Sequence, residues 1–289
     1  MNDDENINRS PYVNTEGQLE LHESIVAFVD ILGFKSLVKN AKNEEKSKDL
    51  FKDFYRVLST WFNRIEDMNK MATGFPLSHK KDSYKIRIFT DCILIGCPIR
   101  QNANKSNFIK GANEFYEILS LLYLFQLEMV NQGYFIRGAI SVDELYMDDL
   151  IIYGTGVIDA YEAESKQAKF PRIILTKSAE TMFVEMDKGF INQKTDNYIN
   201  RYLNRDSDGY LFLNYLESIK IGDNNYQFVD DLEKHQNTIE ESLGKHKNDP
   251  HLLEKYIWVA NYHNFFCSLP PLYAEYIIDL TEYQMNSVK

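Results

Sequence analysis

Cysteine, proline and tryptophan are scarce in this chain of 289 residues, which holds three, seven and two of them. Three cysteines, Cys92, Cys97 and Cys267, cannot build a disulfide framework, and they form no C-x-x-C pair. A reduced, cytoplasmic setting is the expectation. Positive charge is also short. There are 32 Lys and Arg against 43 Asp and Glu, a formal net charge of -11. That balance argues against non-specific attachment to nucleic acid or to an anionic membrane surface, since polyanions would be repelled. It leaves room for a small anionic substrate held with a metal. Long hydrophobic runs are missing too. The most apolar segment, Ile118–Val130, is interrupted by Ser120, Gln126 and Glu128 and is short for a bilayer span. The N-terminus has no basic region followed by an apolar core, so no signal peptide is expected. Neither a Walker G-x-x-x-x-G-K-[ST] nor a G-x-S-x-G occurs. The six histidines, at 22, 79, 235, 246, 251 and 263, lack close zinc-ligand spacing, and His263 reads as a packed core residue.

What is present is concentrated in two strand-like runs. Ser24 to Val29 is apolar and ends in Asp30, with Ile31-Leu32-Gly33-Phe34 following. A carboxylate at the end of a buried strand is costly unless it is paired or holds a cation. Tyr84 to Ile95 carries a second lone carboxylate, Asp91. On neighbouring strands the two would form a divalent-metal site, and the glycine turn beside them could admit phosphates.

Residues 1–22 are polar and read as a loose tail. The spacing predicts one or two helices over Lys35–Met71, a loop over Thr73–Asp82, strands at Tyr84–Thr90 and Cys92–Gly96, and a long apolar helix over Asn107–Gln132 ended by Gly133. A strand at Tyr134–Val142, short strands at Glu144–Met147 and Leu150–Tyr153, a helix at Gly156–Lys169 and a strand at Pro171–Thr176 follow. The order is that of an α+β, ferredoxin-like core over 23–180. Residues 181–289 read as an elaboration packed on it, with a strand near Tyr210–Tyr215 and helices at Asp230–His246 and His251–Ser268.

Lys85, Arg87, Phe89 and Asp91 share one face of their strand. Arg137 sits in an otherwise apolar run and needs an anionic partner, which could be a structural pairing with Asp30 or Asp91.

These residues resemble the class III nucleotide cyclases. Val29-Asp30-Ile31-Leu32-Gly33-Phe34 looks like the first metal motif, and Ile88-Phe89-Thr90-Asp91 like the second, with Thr90 in the usual glycine position. Phe135 to Ser141 and Gly154 to Ala160 match later segments in order. The departures are informative. The family's ribose-orienting Asn and transition-state Arg fall at Ile158 and Glu162. Its adenine-reading Lys falls at Arg87, and the assisting Asp at about Ile151 or Ile152. Arg137-Gly138-Ala139-Ile140-Ser141, Ala160-Tyr161-Glu162-Ala163-Glu164-Ser165, Asp208 to Tyr215 and Lys255 to Asn264 are similar to the bacterial Pycsar pyrimidine cyclases.

That resemblance implies a homodimeric, metal-dependent enzyme. It would convert UTP, or CTP, to the 3′,5′-cyclic monophosphate and pyrophosphate, and the product would activate a separate antiphage effector. Asp30, Asp91 and the Ile31 carbonyl would hold two Mn²⁺ or Mg²⁺ ions, and amides at Leu32, Gly33 and Phe34 would meet the β- and γ-phosphates. Arg87 would read the base. With Glu162 in the arginine position, Arg137, Lys166 and Arg172 are the candidates to neutralise the pentavalent phosphate. A catalytically inactive nucleotide-binding or dimerisation module, or a purine cyclase, is the alternative. No nucleic-acid or membrane partner is expected.

Overall fold

The computed structural model describes residues 10–14, 16–71, 83–100, 109–196, 199–221, 225–269 and 273–284. The expected loop at Thr73–Asp82 and the start of the helix at 107–108 lie outside the described residues. Strand β1 (His22–Ile31) is followed by α1 (Phe34–Asn40), α2 (Glu44–Met71), the hairpin β2 (Lys85–Phe89) and β3 (Cys92–Pro98), α3 (Ala112–Asn131) and β4 (Ile136–Met147). Then come β5 (Ile152–Tyr153), α4 (Thr155–Lys166), β6 (Ile173–Leu175) and α5 (Lys177–Asn192). The chain closes with β7 (Leu203–Arg205), β8 (Leu211–Leu213), α6 (Asn225–Lys245), α7 (Pro250–Ser268) and α8 (Thr281–Gln284), with short 3₁₀ turns between.

The sheet runs β2-β3-β1-β4-β6-β8-β7, with β5 paired to β4 alone. β4 and β6 are parallel and the other neighbours antiparallel. Ser24 to Val29 are all buried because β1 is central and covered on both faces. Ile25, Ala27, Val29 and Ile31 face the main core with Phe115, Leu119, Leu122 and Phe125 of α3. Val26 and Phe28 face a second cluster with Leu94, Leu145, Met147 and Ala160, under α4. Helix α3 is apolar around most of its girth for a physical reason: it lies between the sheet, α2, α6 and the 3₁₀ turn Tyr215–Ile221. Trp61 of α2 donates from Nε1 to Leu121 O at 3.0 Å. Gly133, at φ 85°, ends α3 in the left-handed region that glycine enters freely.

Three features differ from expectation. The tail is not loose throughout. Tyr12 is fully buried, its hydroxyl 3.2 Å from Ser24 Oγ, and Ser10 Oγ donates to Met147 O at 2.5 Å. β4 runs on through Met147 as one strand rather than two, because hairpin partner β5 folds back along its end. α5, capped by Thr176, lies where the sequence pattern placed no element. Past β6 the sheet continues into β8, where Ile174 pairs with Phe212, and one apolar cluster runs from Ile25 to Leu280.

Candidate metal and nucleotide site

The site is assembled by strand register. Asp30, at the end of β1, stands opposite Cys92 of β3 on one side and Arg137 of β4 on the other. Asp91 sits in the β2–β3 turn, held against the strand end because Ile31 N–H donates to Asp91 O at 3.1 Å. Thr90, beside it, has φ 55°, a left-handed backbone that a β-branched residue adopts only under constraint. Its hydroxyl donates to Asp91 Oδ1 at 2.7 Å. A carboxylate oxygen from each aspartate and Cys92 Sγ all lie within 4.8 Å of one another.

Arg137 Nε is 3.5 Å from Asp30 Oδ2 and 2.6 Å from Glu164 Oε1. The second contact is one of charge: the N–H is not aimed along a hydrogen bond. Glu164 was not read from the sequence as a site residue. Its signal was available. Gly156, Ala160, Ala163 and Glu164 are the buried positions of α4, at helical spacing, so Glu164 belongs to the face turned to the sheet. Glu162, on the outer face, pairs with Lys166 at 2.8 Å.

Charge is left uncompensated here. Burial pushes the Asp30 carboxyl up, Arg137 pulls it back, and Asp91 raises it again. Burial likewise raises Glu164, against the pull of Arg137. The Cys92 thiol is pushed up to about 12 by burial and by the charges of Asp30, Asp91 and Glu164. Carboxylates crowded in this way invite a hard divalent cation, and the donor set fits Mn²⁺ or Mg²⁺. Ile31 could offer only its backbone carbonyl, because its aliphatic side chain, buried in the main core, has no donor atom.

The other expected site residues separate. Leu32 N–H donates to Phe135 O at 2.8 Å, so this amide is committed to the fold and not to phosphate. Gly33, at φ 75°, and Phe34 open α1 beside it. Arg172 is no free cation. It is fully buried, paired with Asp206 and Asp208, and set over the rings of Phe170, Phe212 and Trp258 at 5.4 to 5.8 Å. Its guanidinium is used in packing the C-terminal elements on the sheet, which corrects the catalytic expectation. Lys166 is exposed and engaged with Glu162, which sets it apart from the two aspartates in this chain. Arg87 lies on the α4 side of the sheet, 3.5 Å from Asp149 Oδ1, which Lys85 also contacts at 2.8 Å. Arg87 therefore has an acidic partner, Asp149, which the sequence reading did not single out. The hairpin between β4 and β5 brings Asp149 to it, while Ile151 is exposed.

No protein-family model matches the chain, and no curated protein matches it. Among solved structures, the chain is similar to one described as a class III adenylyl cyclase-like ATP-binding protein from Pseudomonas aeruginosa, at 14% identity and a TM-score of 0.36. The likeness covers 56% of this chain and 35% of that one, so the chain spans about a third of that neighbour's length. Among the described residues, no helix is long and apolar enough to cross a membrane.

Proposed function

We propose that this chain is a divalent-metal-dependent nucleotide cyclase acting on a pyrimidine nucleoside triphosphate, UTP before CTP. The observation that carries the reading is the meeting of Asp30 and Asp91, half-buried, where two strands of the sheet end together. The order β2-β3-β1-β4, antiparallel throughout with helices in both crossovers, supports a ferredoxin-like core beneath it. Bound Mn²⁺ or Mg²⁺, in two positions, would supply charge neutralisation at the α-phosphate and a lowered pKa for the ribose 3′-hydroxyl.

The chain's own residues do the rest. Asp30 and Asp91 would hold the cations. The 3′-hydroxyl would give up its proton to solvent, its oxygen would attack the α-phosphorus, and the bond from that phosphorus to the bridging oxygen of the pyrophosphate would break as the ring closes. Arg137, 3.5 Å from Asp30 among the described residues, is in this reading the cation that would face the charge developing at the phosphate. In this reading the working unit is a homodimer. Exposed Phe89 and Tyr161, both against Phe28, and exposed Ile158 give apolar surface beside the site in support of a shared interface. The cyclic product would act through a separate effector in a bacterial antiphage response.

A purine substrate is the second reading, favoured by Asp149. Arg87 and Lys85 offer only donors, but Asp149 between them is an acceptor, and a donor–acceptor pair suits the exocyclic amine and ring nitrogen of adenine. Incubation with each of the four nucleoside triphosphates and Mn²⁺, with products identified by mass spectrometry, tests both. Cyclic UMP is the expected main product. Cyclic AMP or cyclic GMP would move the assignment to the purine reading. No cyclic product from any of the four would remove the cyclase reading.

A further inference from the structure

Glu164 stands in the candidate site with no role yet. It is almost wholly buried, on the last turns of α4, and its charge is met by Arg137 at 2.6 Å. The helix that carries it is seated firmly. A Cβ at Gly154 would lie 2.2 Å from Glu144 O, and one at Gly156 2.8 Å from Val26 Cγ2, so only glycine lets α4 start this close to the sheet. Ser141 Oγ donates to Gly156 O at 2.6 Å and fixes that approach. Two turns on, Glu164 arrives over Arg137. The guanidinium then has two anionic claimants, Glu164 at 2.6 Å and Asp30 at 3.5 Å, and sits nearer the first. Lys255 of α7 is close enough to feel the positive charge of Arg137, and so adds no attraction that would hold Arg137 at the site.

We infer that Glu164 is a positioning residue, which acts through Arg137 to keep the guanidinium from closing on Asp30 and so leaves Asp30 free for a divalent cation. The inference rests on the metal reading of Asp30 and Asp91. Its logic is competition. An Arg in full contact with Asp30 is a counter-ion that a metal must displace, whereas an Arg drawn off to Glu164 is not. The same arrangement keeps a cation within reach of the site after the metal has bound.

The test is Mn²⁺ affinity, measured by electron paramagnetic resonance on the purified full chain without nucleotide. Wild type is compared with Glu164→Gln, Glu164→Asp, Arg137→Gln and the Arg137→Gln/Glu164→Gln double variant, each shown to be folded by its melting transition. Glu164→Gln should weaken Mn²⁺ binding about tenfold, the size of effect that an adjacent opposite charge has on a carboxylate. Glu164→Asp keeps the charge but shortens the reach, so it should weaken binding as well. In the Arg137→Gln background, Glu164→Gln should change affinity by less than about twofold, because the residue it works through is gone. The inference is overturned if Glu164→Gln weakens binding equally in both backgrounds, or if Glu164→Asp binds like wild type, since either result makes Glu164 a distant charge. It is also overturned if Glu164→Gln binds like wild type. A wild-type chain that binds no Mn²⁺ would instead remove the metal reading, and this inference with it.

Discussion

Two buried polar clusters in this molecule are built on opposite plans. Around Asp30 the charges do not balance. Asp30, Asp91 and Glu164 are three carboxylates with one guanidinium, Arg137, shared between two of them, and both Asp30 and Glu164 are pushed up by burial. In the C-terminal part the polar groups are more fully paired, with Arg172 Nε left without a hydrogen-bond partner among the described residues. Both terminal nitrogens of Arg172 meet carboxylates, and Asp206 also accepts from Trp258 Nε1 at 2.7 Å. Beside it runs a neutral chain. Tyr276 O can only accept, so His263 Nε2 donates to it at 2.7 Å. His263 Nδ1 then accepts from His235 Nδ1 at 2.9 Å, and His235 Nε2 accepts from the Tyr215 hydroxyl at 2.8 Å. A matched cluster holds elements together. An unmatched one is costly to keep, and such clusters are enriched at functional sites.

The largest expected effect comes from cutting the unmatched cluster. Asp30→Ala or Asp91→Ala should abolish cyclisation, a loss of about a hundredfold or more from removing metal-borne charge stabilisation. Stability without metal should hold or rise slightly, since Asp91 and burial both disfavour the Asp30 charge. Turnover and urea unfolding of the same preparations check the two halves. A variant that unfolds early would place Asp30 with the matched cluster and erase the contrast.

The reciprocal cut is Arg172→Ala, which strands Asp206 and Asp208 and empties the space among three rings. A cost of about 3–5 kcal/mol is expected from breaking a buried ion pair on one side. Urea unfolding measures it. An Arg172→Ala protein of wild-type stability without activity would return Arg172 to the candidate catalytic residues.

A smaller effect separates the clusters by pH. His235 and His263 are buried and neutral, with pKa values below 6.5. The unfolded chain binds their protons first, so stability is complete above pH 6.5 and is lost as pH falls from there toward the native values. The loss has a limiting slope of about 1.4 kcal/mol per pH unit for each imidazole. Asp30 and Glu164 run the other way. Their native pKa values are raised, so their contribution is present below 3.8 and 4.5 respectively and is lost as pH rises through the native values. Unfolding free energy across about pH 5 to 8 should therefore fall on the acid side in wild type and flatten in a His235→Gln/His263→Gln variant. A wild-type profile that is flat below pH 6.5 would show that the histidine chain accepts protons without strain.

The strand that ends in Asp30 and the two that flank Asp91 were legible because period-two alternation and an apolar run need only neighbours in sequence. The helices over Lys35–Met71 and Asp230–His246 were legible for the same reason, at their own spacing. Tyr12 was not, because a short polar segment is buried only by what it lands on, here Ser24 and Met147. Arg137 was legible as a residue in need of an anion, but its nearer anion, Glu164, was not. In α4 the outward Glu162 and the inward Glu164 are distinguished only by which face meets the sheet. Asp149 as the partner of Arg87 was not legible for the same reason, since it reaches Arg87 through the β4–β5 hairpin and not through an aligned position.

By itself the sequence determined that an apolar strand ends in one carboxylate, that a second strand-like run carries another, that a glycine turn follows the first, and that the chain carries an acidic excess. Those are properties of covalent order and local periodicity. The tertiary structure alone decided which carboxylates meet and which cation each arginine serves. It drew Arg137 toward Asp30 and Glu164, and it committed Arg172 to Asp206 and Asp208. The reason is Coulomb's law in a partly buried setting. The energy of a charge depends on partners within a few ångströms, and strand register and helix seating choose those partners over long stretches of chain.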